Sequence, residues 1–173
     1  MRRGLNFLLG AAMLAPVVAE AQPVDYVALD MTRYHSFVGA WSPQTAPLCA
    51  LISSQAKWDA VMHPAPVMGG GQVFGPPADT WGAHSVLLLA RIVPGGGGAP
   101  ALRPVFAKLN DGVLEVDYQF RTPPQSSYTV STAMALEIPE VVPDSVVFKE
   151  NGKTVCTLAP AKGVWLSPAP PKP

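Results

Sequence analysis

The sequence predicts a mainly β protein: one antiparallel sheet or sandwich-like domain with a single short helix, preceded by a signal peptide. Three observations carry that expectation. Two long segments, Val113 to Arg121 and Tyr128 to Ile138, alternate apolar and polar residues with the period of a half-buried strand. Two tight-turn signals, Asn110-Asp111-Gly112 and Asn151-Gly152, separate strand-like runs. The 20 prolines fall mostly between apolar runs, as expected for short strands joined by stiff loops.

The N-terminus is read first as an export signal. Arg2 and Arg3 precede an apolar run from Leu5 to Ala19, and Ala19-Glu20-Ala21 offers small residues at a peptidase site. The run is interrupted by Asn6 and Pro16 and is shorter than the roughly 20 apolar residues a membrane span requires. Cleavage after Ala21 is therefore expected, leaving no transmembrane anchor and a periplasmic or extracellular location. The first cysteine is Cys49, too far along to carry an N-terminal lipid. The chain divides into a signal peptide (1–21), a β-rich domain (22–166) and a proline-rich disordered tail (167–173).

Within the domain, Val24 to Met31 and Tyr34 to Val38 read as ragged early strands. Leu48 to Ile52 is a compact apolar run. Ser53 or Ser54 then caps a helix that continues to about Met62 and stops at His63-Pro64. Trp58, Val61 and Met62 give that helix one apolar face for packing on a sheet. Residues 64–80, with Gly69-Gly70-Gly71 and Pro76-Pro77, read as loop. Ser85 to Ile92 is almost continuously apolar, as in a strand covered on both faces. Pro94 to Pro100 interrupts with four glycines, and Arg103 to Leu109 resumes as a strand. In the next strand Leu114, Val116, Tyr118 and Phe120 share one face, and Glu115, Asp117, Gln119 and Arg121 the other. Thr122-Pro123-Pro124-Gln125 turns the chain into Tyr128 to Ile138. Val146 to Lys149 and Lys153 to Leu158 flank the last hairpin. The whole is a sheet of about five core strands with one helix and added N-terminal strands.

Charge and cysteine content narrow the function. After removal of Arg2, Arg3 and Glu20 the chain keeps 10 basic and 11 acidic residues, a formal charge of −1. Nucleic acid, which requires clustered Lys and Arg, is not an expected ligand. Charged residues make up only 14% of the chain, against about 25% in ordinary domains; such a surface suits a protein partner or an envelope setting. Cys49 and Cys156 are an even pair in strand-like segments, expected to form a disulfide in an oxidising compartment. Two buried free thiols are the alternative. Two lone cysteines without a nearby histidine do not make a metal site.

Chemical motifs resolve into structural ones. Ser54-Gln55-Ala56-Lys57 has the Ser-x-x-Lys spacing of penicillin-interacting enzymes, but the Ser-Asp-Asn and Lys-Thr-Gly partners are missing. Gly152-Lys153-Thr154 lacks the leading glycine and following helix of a phosphate loop, and Gly95 to Gly98 lacks a nucleotide fingerprint. His35, His63 and His84 are scattered, and no Gly-x-Ser-x-Gly elbow supports a triad. Glu115 and Asp117 share a strand face as a solvated pair. No catalytic, cofactor or metal residue is assigned, and the protein is not expected to be an enzyme.

The order of elements resembles the PrcB-like domain, named for a subunit of a bacterial cell-surface protease complex. The residues carrying the resemblance are Ser53, Ser54, Lys57 and Trp58 in the helix, the apolar strand Ser85 to Ile92, Gly112, Leu114, Val116 and Tyr118, the turn Pro123-Pro124, and Ile138-Pro139. Where that family tends to carry a Thr-Gly-Gly-Tyr-like turn, Pro94 to Pro100 has glycines but no tyrosine. The resemblance implies an exported, non-catalytic β domain that contacts another protein. The expected function is that of an interaction or accessory subunit binding an envelope or secreted protein; a small-ligand or glycan-binding module is the alternative, and a small hydrolase a more distant one. The candidate interaction loop is Arg121, Thr122, Pro123, Pro124, Gln125 and Tyr128, acting with Pro94 to Pro100 at the same end of the sheet; the alternative is that Pro123-Pro124 only enforces the turn and Tyr128 packs in the core.

Overall fold

The structure, a computed structural model, describes residues 21–31, 36–37, 47–63, 75–95, 102–122, 124, 126–159 and 166–167. The expected signal peptide lies outside the described residues except for Ala21, as does the tail beyond Ser167.

Short strands β1 (Gln22–Pro23), β2 (Val27–Ala28) and β3 (Ser36–Phe37) open the chain, followed by β4 (Leu48–Ile52), helix α1 (Gln55–Val61) and β5 (Met62–His63). A 3-10 turn at Ala78–Thr80, inside the segment read as loop, leads into β6 (His84–Pro94). Then come β7 (Leu102–Asn110), β8 (Val113–Phe120), β9 (Thr129–Pro139), β10 (Ser145–Glu150), β11 (Lys153–Leu158) and β12 (Leu166–Ser167). The first sheet has the order β1-β7-β8-β10-β11, and the second β12-β4-β6-β9-β2. A small pair, β3 with β5, stands apart from both.

Among the described strands every ladder is antiparallel except β8 with β10, where Leu114 lies opposite Val146 and Val116 opposite Phe148 in parallel register. The chain's route explains the exception. After β8 it crosses to the second sheet and runs back as β9, so its return to the first sheet restores the direction of β8. Both predicted tight turns form. Asp111 (φ 46°) with Gly112 (φ 76°), and Asn151 (φ 50°) with Gly152 (φ 80°), take the left-handed conformations of two-residue hairpin turns. At Gly112 the need is steric as well, because a side chain there would collide with the carboxylate of Asp144, the residue whose backbone N–H donates to Gly112 O at 2.7 Å.

The main core lies between the sheets. Leu87, Leu89, Met134, Leu136 and Ile138 of the second sheet meet Leu114, Val116, Tyr118, Val146 and Phe148 of the first. A second core covers the outer face of the second sheet, where Trp58 and Val61 of α1 pack with Leu48, Ala50, Ile52, Val86 and Leu88. β6 is thus buried on both sides, which its unbroken apolar run requires. Ser54 caps α1, its Oγ accepting from Lys57 N, while Lys57 Nζ donates to Ser53 Oγ. The Ser-x-x-Lys spacing is therefore spent on a helix start.

The two long sides of the sandwich are closed differently. On one, Cys49 of β4 and Cys156 of β11 form a disulfide between the sheets, with Cα atoms 6.4 Å apart. On the other, the N-terminal segment crosses from β1, paired with β7, to β2, paired with β9. Ser167, read as the start of the tail, pairs instead with Cys49 as part of β12.

On the outer face of the first sheet, Glu115 sits between Lys108 (3.2 Å) and Lys149 (2.6 Å). Burial pushes its carboxyl up, but hydrogen bonds from both lysines outweigh this and hold it below the ordinary carboxylate value. A depressed carboxyl stabilises the fold above its unfolded pKa, and that stability is lost as pH falls through the folded value. Lys149→Ala is expected to cost less than about 1 kcal/mol at neutral pH, because the pair is partly solvated. Urea unfolding at neutral pH and well below the carboxylate range should show that difference shrinking towards zero in acid.

Candidate interaction surface

One end of the sandwich carries the loops after β6 and β8 together with the β10–β11 turn. Strand register brings the start of the first of these loops against the end of the second. Pro94 lies opposite Thr129, and Gly95 N donates to Tyr128 O at 2.9 Å. The Tyr128 ring lies against Gly95 so closely that any side chain at that position would displace it. Tyr128 remains 56% exposed, with its N–H 3.4 Å from Ser126 Oγ. Arg121, Thr122 and Pro124 are exposed as well, whereas Pro123 and Gln125 lie outside the described residues. Of the candidate loop, then, Arg121, Thr122, Pro124 and Tyr128 are placed at the surface, and Tyr128 touches the start of the glycine-rich loop.

Beneath these loops is a polar cluster that ties the sheets together. Arg91 of β6 forms an ion pair with Glu150 of β10. The same carboxylate oxygen accepts from Tyr118 OH at 2.8 Å. The Arg91 guanidinium stacks on the Phe120 ring at 4.2 Å. The Asn151 side chain closes the corner, donating to Phe120 O (3.1 Å) and accepting from Phe120 N (3.2 Å). Burial first, and the Glu150 carboxylate second, drive the Tyr118 phenol far above its ordinary range, so it stays a neutral donor. Each charge here already has its partner. The chemistry is that of a brace, fixing where Phe120 and Arg121 leave the sheet.

Arg91 and Glu150 were not singled out from the sequence, though a signal was present. An arginine inside a strand buried on both faces needs a partner, because an unpaired buried charge is costly. Nothing in the order of residues names Glu150 as that partner, 59 positions away.

A second polar group lies towards the other end, on the outer face of the second sheet. His84 Nδ1 is 3.7 Å from Glu137 Oε1, and Thr80 Oγ1 is 3.4 Å from Glu137 Oε2. Trp81 Nε1 donates to Gln55 Oε1 at 2.8 Å, and the Trp58 and Trp81 rings are 6.5 Å apart. Ser85 follows His84 in β6, so its side chain faces the opposite side of the sheet, and the two do not form a nucleophile–base pair. His35 and the His63 side chain lie outside the described residues, as do Trp41 and Trp165. Among the described residues, no group of His, Cys, Asp and Glu has the spacing to hold a metal ion. Among those same residues, no helix is long and apolar enough to cross a membrane.

No protein-family model, curated protein or solved structure matches the chain.

Proposed function

We propose that the protein is an exported, non-catalytic interaction domain, an accessory subunit that binds another envelope or secreted protein through the Arg121–Tyr128 end of the sandwich. The observation that carries this reading is the exposure of Arg121 and Tyr128 on loops held by a rigid base. Arginine and tyrosine are the side chains most often found as interface anchors. Here both stand on a braced strand end rather than on a free tail, so little order must be gained on binding. The export signal, the low charge and the inter-sheet disulfide suit the periplasm or the cell exterior, and the PrcB-like order of elements agrees with a supporting role.

Arg121→Ala should weaken partner binding by more than about 1 kcal/mol, measured by titration calorimetry against the captured partner. The melting temperature should stay unchanged, because Arg121 is exposed. Equal affinity, or loss of folding, would reduce the loop to a structural turn.

One observation favours a second reading, a glycan or small-ligand binder. Trp81, His84 and Glu137 lie together, a ring beside hydrogen-bonding groups. Under that reading, binding would respond to Trp81→Ala and not to Arg121→Ala.

A further inference from the structure

Cleavage after Ala21, on which this inference rests, leaves Gln22 as the first residue of the mature chain. Gln22 opens β1 and lies opposite Leu109 at the edge of the first sheet. It is exposed, and among the described residues its side-chain amide has no hydrogen-bond partner. Pro23 follows, opposite Lys108. Val24 N donates to Ala107 O at 2.9 Å, so ladder parity directs the Pro23 nitrogen away from β7, where its missing N–H costs nothing. The same parity turns the Gln22 carbonyl towards Leu109.

The fold depends on the segment that starts here. β1 and β2 are two residues long each, and between them Val24 and Tyr26 pack against the main core. This segment closes one long side of the sandwich by pairing and packing, whereas a disulfide closes the other. Removal of Gln22 and Pro23 would strip β1 from β7, and further trimming would take Val24 and Tyr26 from the core. An exported chain with a free N-terminal amine is open to such trimming.

We infer that the mature N-terminus is a modification site, at which Gln22 closes on itself into a pyroglutamyl lactam. The α-amine attacks Cδ of the residue's own side-chain amide. The N–Cδ bond forms and the Cδ–Nε2 bond breaks; a proton passes from the amine to Nε2, which leaves as ammonia. Nothing is oxidised or reduced, and no co-reactant is consumed. An α-amine has an ordinary pKa of about 8, so the neutral nucleophile is present at neutral pH. The five-membered ring uses the atoms of one exposed residue, and the Gln22 carbonyl that faces Leu109 takes no part. The amine has one competing target, the Pro23 carbonyl. Attack there would release the first two residues as a cyclic dipeptide, through the cis form that an X-Pro bond reaches readily. The lactam removes that nucleophile, and with it the free amine that exopeptidases require.

Mass spectrometry of the protein exported by its native host tests the modification. In most molecules the N-terminal peptide should begin at residue 22 and be lighter than the unmodified sequence by one ammonia. An isotope-labelled peptide of residues 22–33, added at lysis, should stay open through the same handling. Gln22→Glu puts a poor electrophile in place of the amide and leaves residues 19–21 unchanged, so its N-terminus should keep a free amine. An X-Pro dipeptidyl peptidase, acting on the two released N-terminal peptides, should shorten the variant's by two residues and leave the unaltered one intact. A mature chain that begins at Gln22 with a free amine overturns the lactam and leaves export standing. So does a chain that begins at Val24, equal shortening of the two peptides, or a labelled peptide that closes as fully as the protein. A chain that keeps Met1 overturns export and lactam together.

Discussion

Cys156→Ser is expected to lower the unfolding free energy by about 2–5 kcal/mol. The disulfide closes a loop of 107 residues and joins β4 of one sheet to β11 of the other. In the chain-entropy account, a cross-link over roughly 100 residues removes about 4.7 kcal/mol of disorder from the unfolded chain. The substitution also leaves a hydroxyl and a thiol in a site where Cys49 is fully buried and Cys156 nearly so. Urea unfolding of the oxidised protein and of the variant measures the difference. Reduction of the unaltered protein should reproduce most of it, which separates the cross-link from the change of side chain. Equal midpoints for oxidised protein and variant would show that the sheets are held without the bond.

Trp58→Ala is expected to cost about 3–5 kcal/mol, the range for deleting a large buried aromatic. Trp58 is 1% exposed and is the main anchor of α1 on the second sheet. A seven-residue helix is too short to persist on its own, so its order depends on that packing. Its loss should uncover Val86, Leu88 and Ala50 and change the near-ultraviolet signal of the Trp58–Trp81 pair. Lys57→Ala, one position away on the exposed side, should change stability by no more than about 0.5 kcal/mol. Chemical denaturation of both variants is the measurement. A small effect at Trp58 would mean that the helix layer is an attachment rather than part of the core.

The contrast between these two residues also shows which parts of the fold were legible in the sequence. Helix and cap were readable because Ser54, Lys57 and Trp58 obey local rules of hydrogen bonding and periodicity. β8 and its faces followed from strict alternation, and the double burial of β6 from the absence of alternation. The order of strands was not readable. Alternation specifies which face of β10 is buried but not which strand lies beside it, so its parallel pairing with β8 was not anticipated. β12 was missed for a related reason: Leu166-Ser167 has no strand pattern and pairs because Ala50 and Cys49 offer an edge.

At the candidate surface, the loops were placed at one end by counting strands, and Arg121 was assigned to the polar face. The brace below them was hidden. Arg91, Tyr118 and Glu150 come from three strands in two sheets, and only the folded register brings them together. Sequence alone also left open whether Tyr128 belongs to the core; its ring instead lies over Gly95, largely in solvent.

Binding of another protein through the Arg121–Tyr128 end, as proposed, can be tested in the cell. The most direct measurement places a photo-cross-linking amino acid at Thr122, or at Asp111 in the turn at the opposite end, with each protein expressed in its native host. Thr122 and Asp111 are both exposed, so the label should not disturb folding at either position. A discrete adduct of defined mass from Thr122, absent from Asp111 and reduced by Arg121→Ala, is the predicted result. No adduct at Thr122, or the same adduct at both ends, would contradict it.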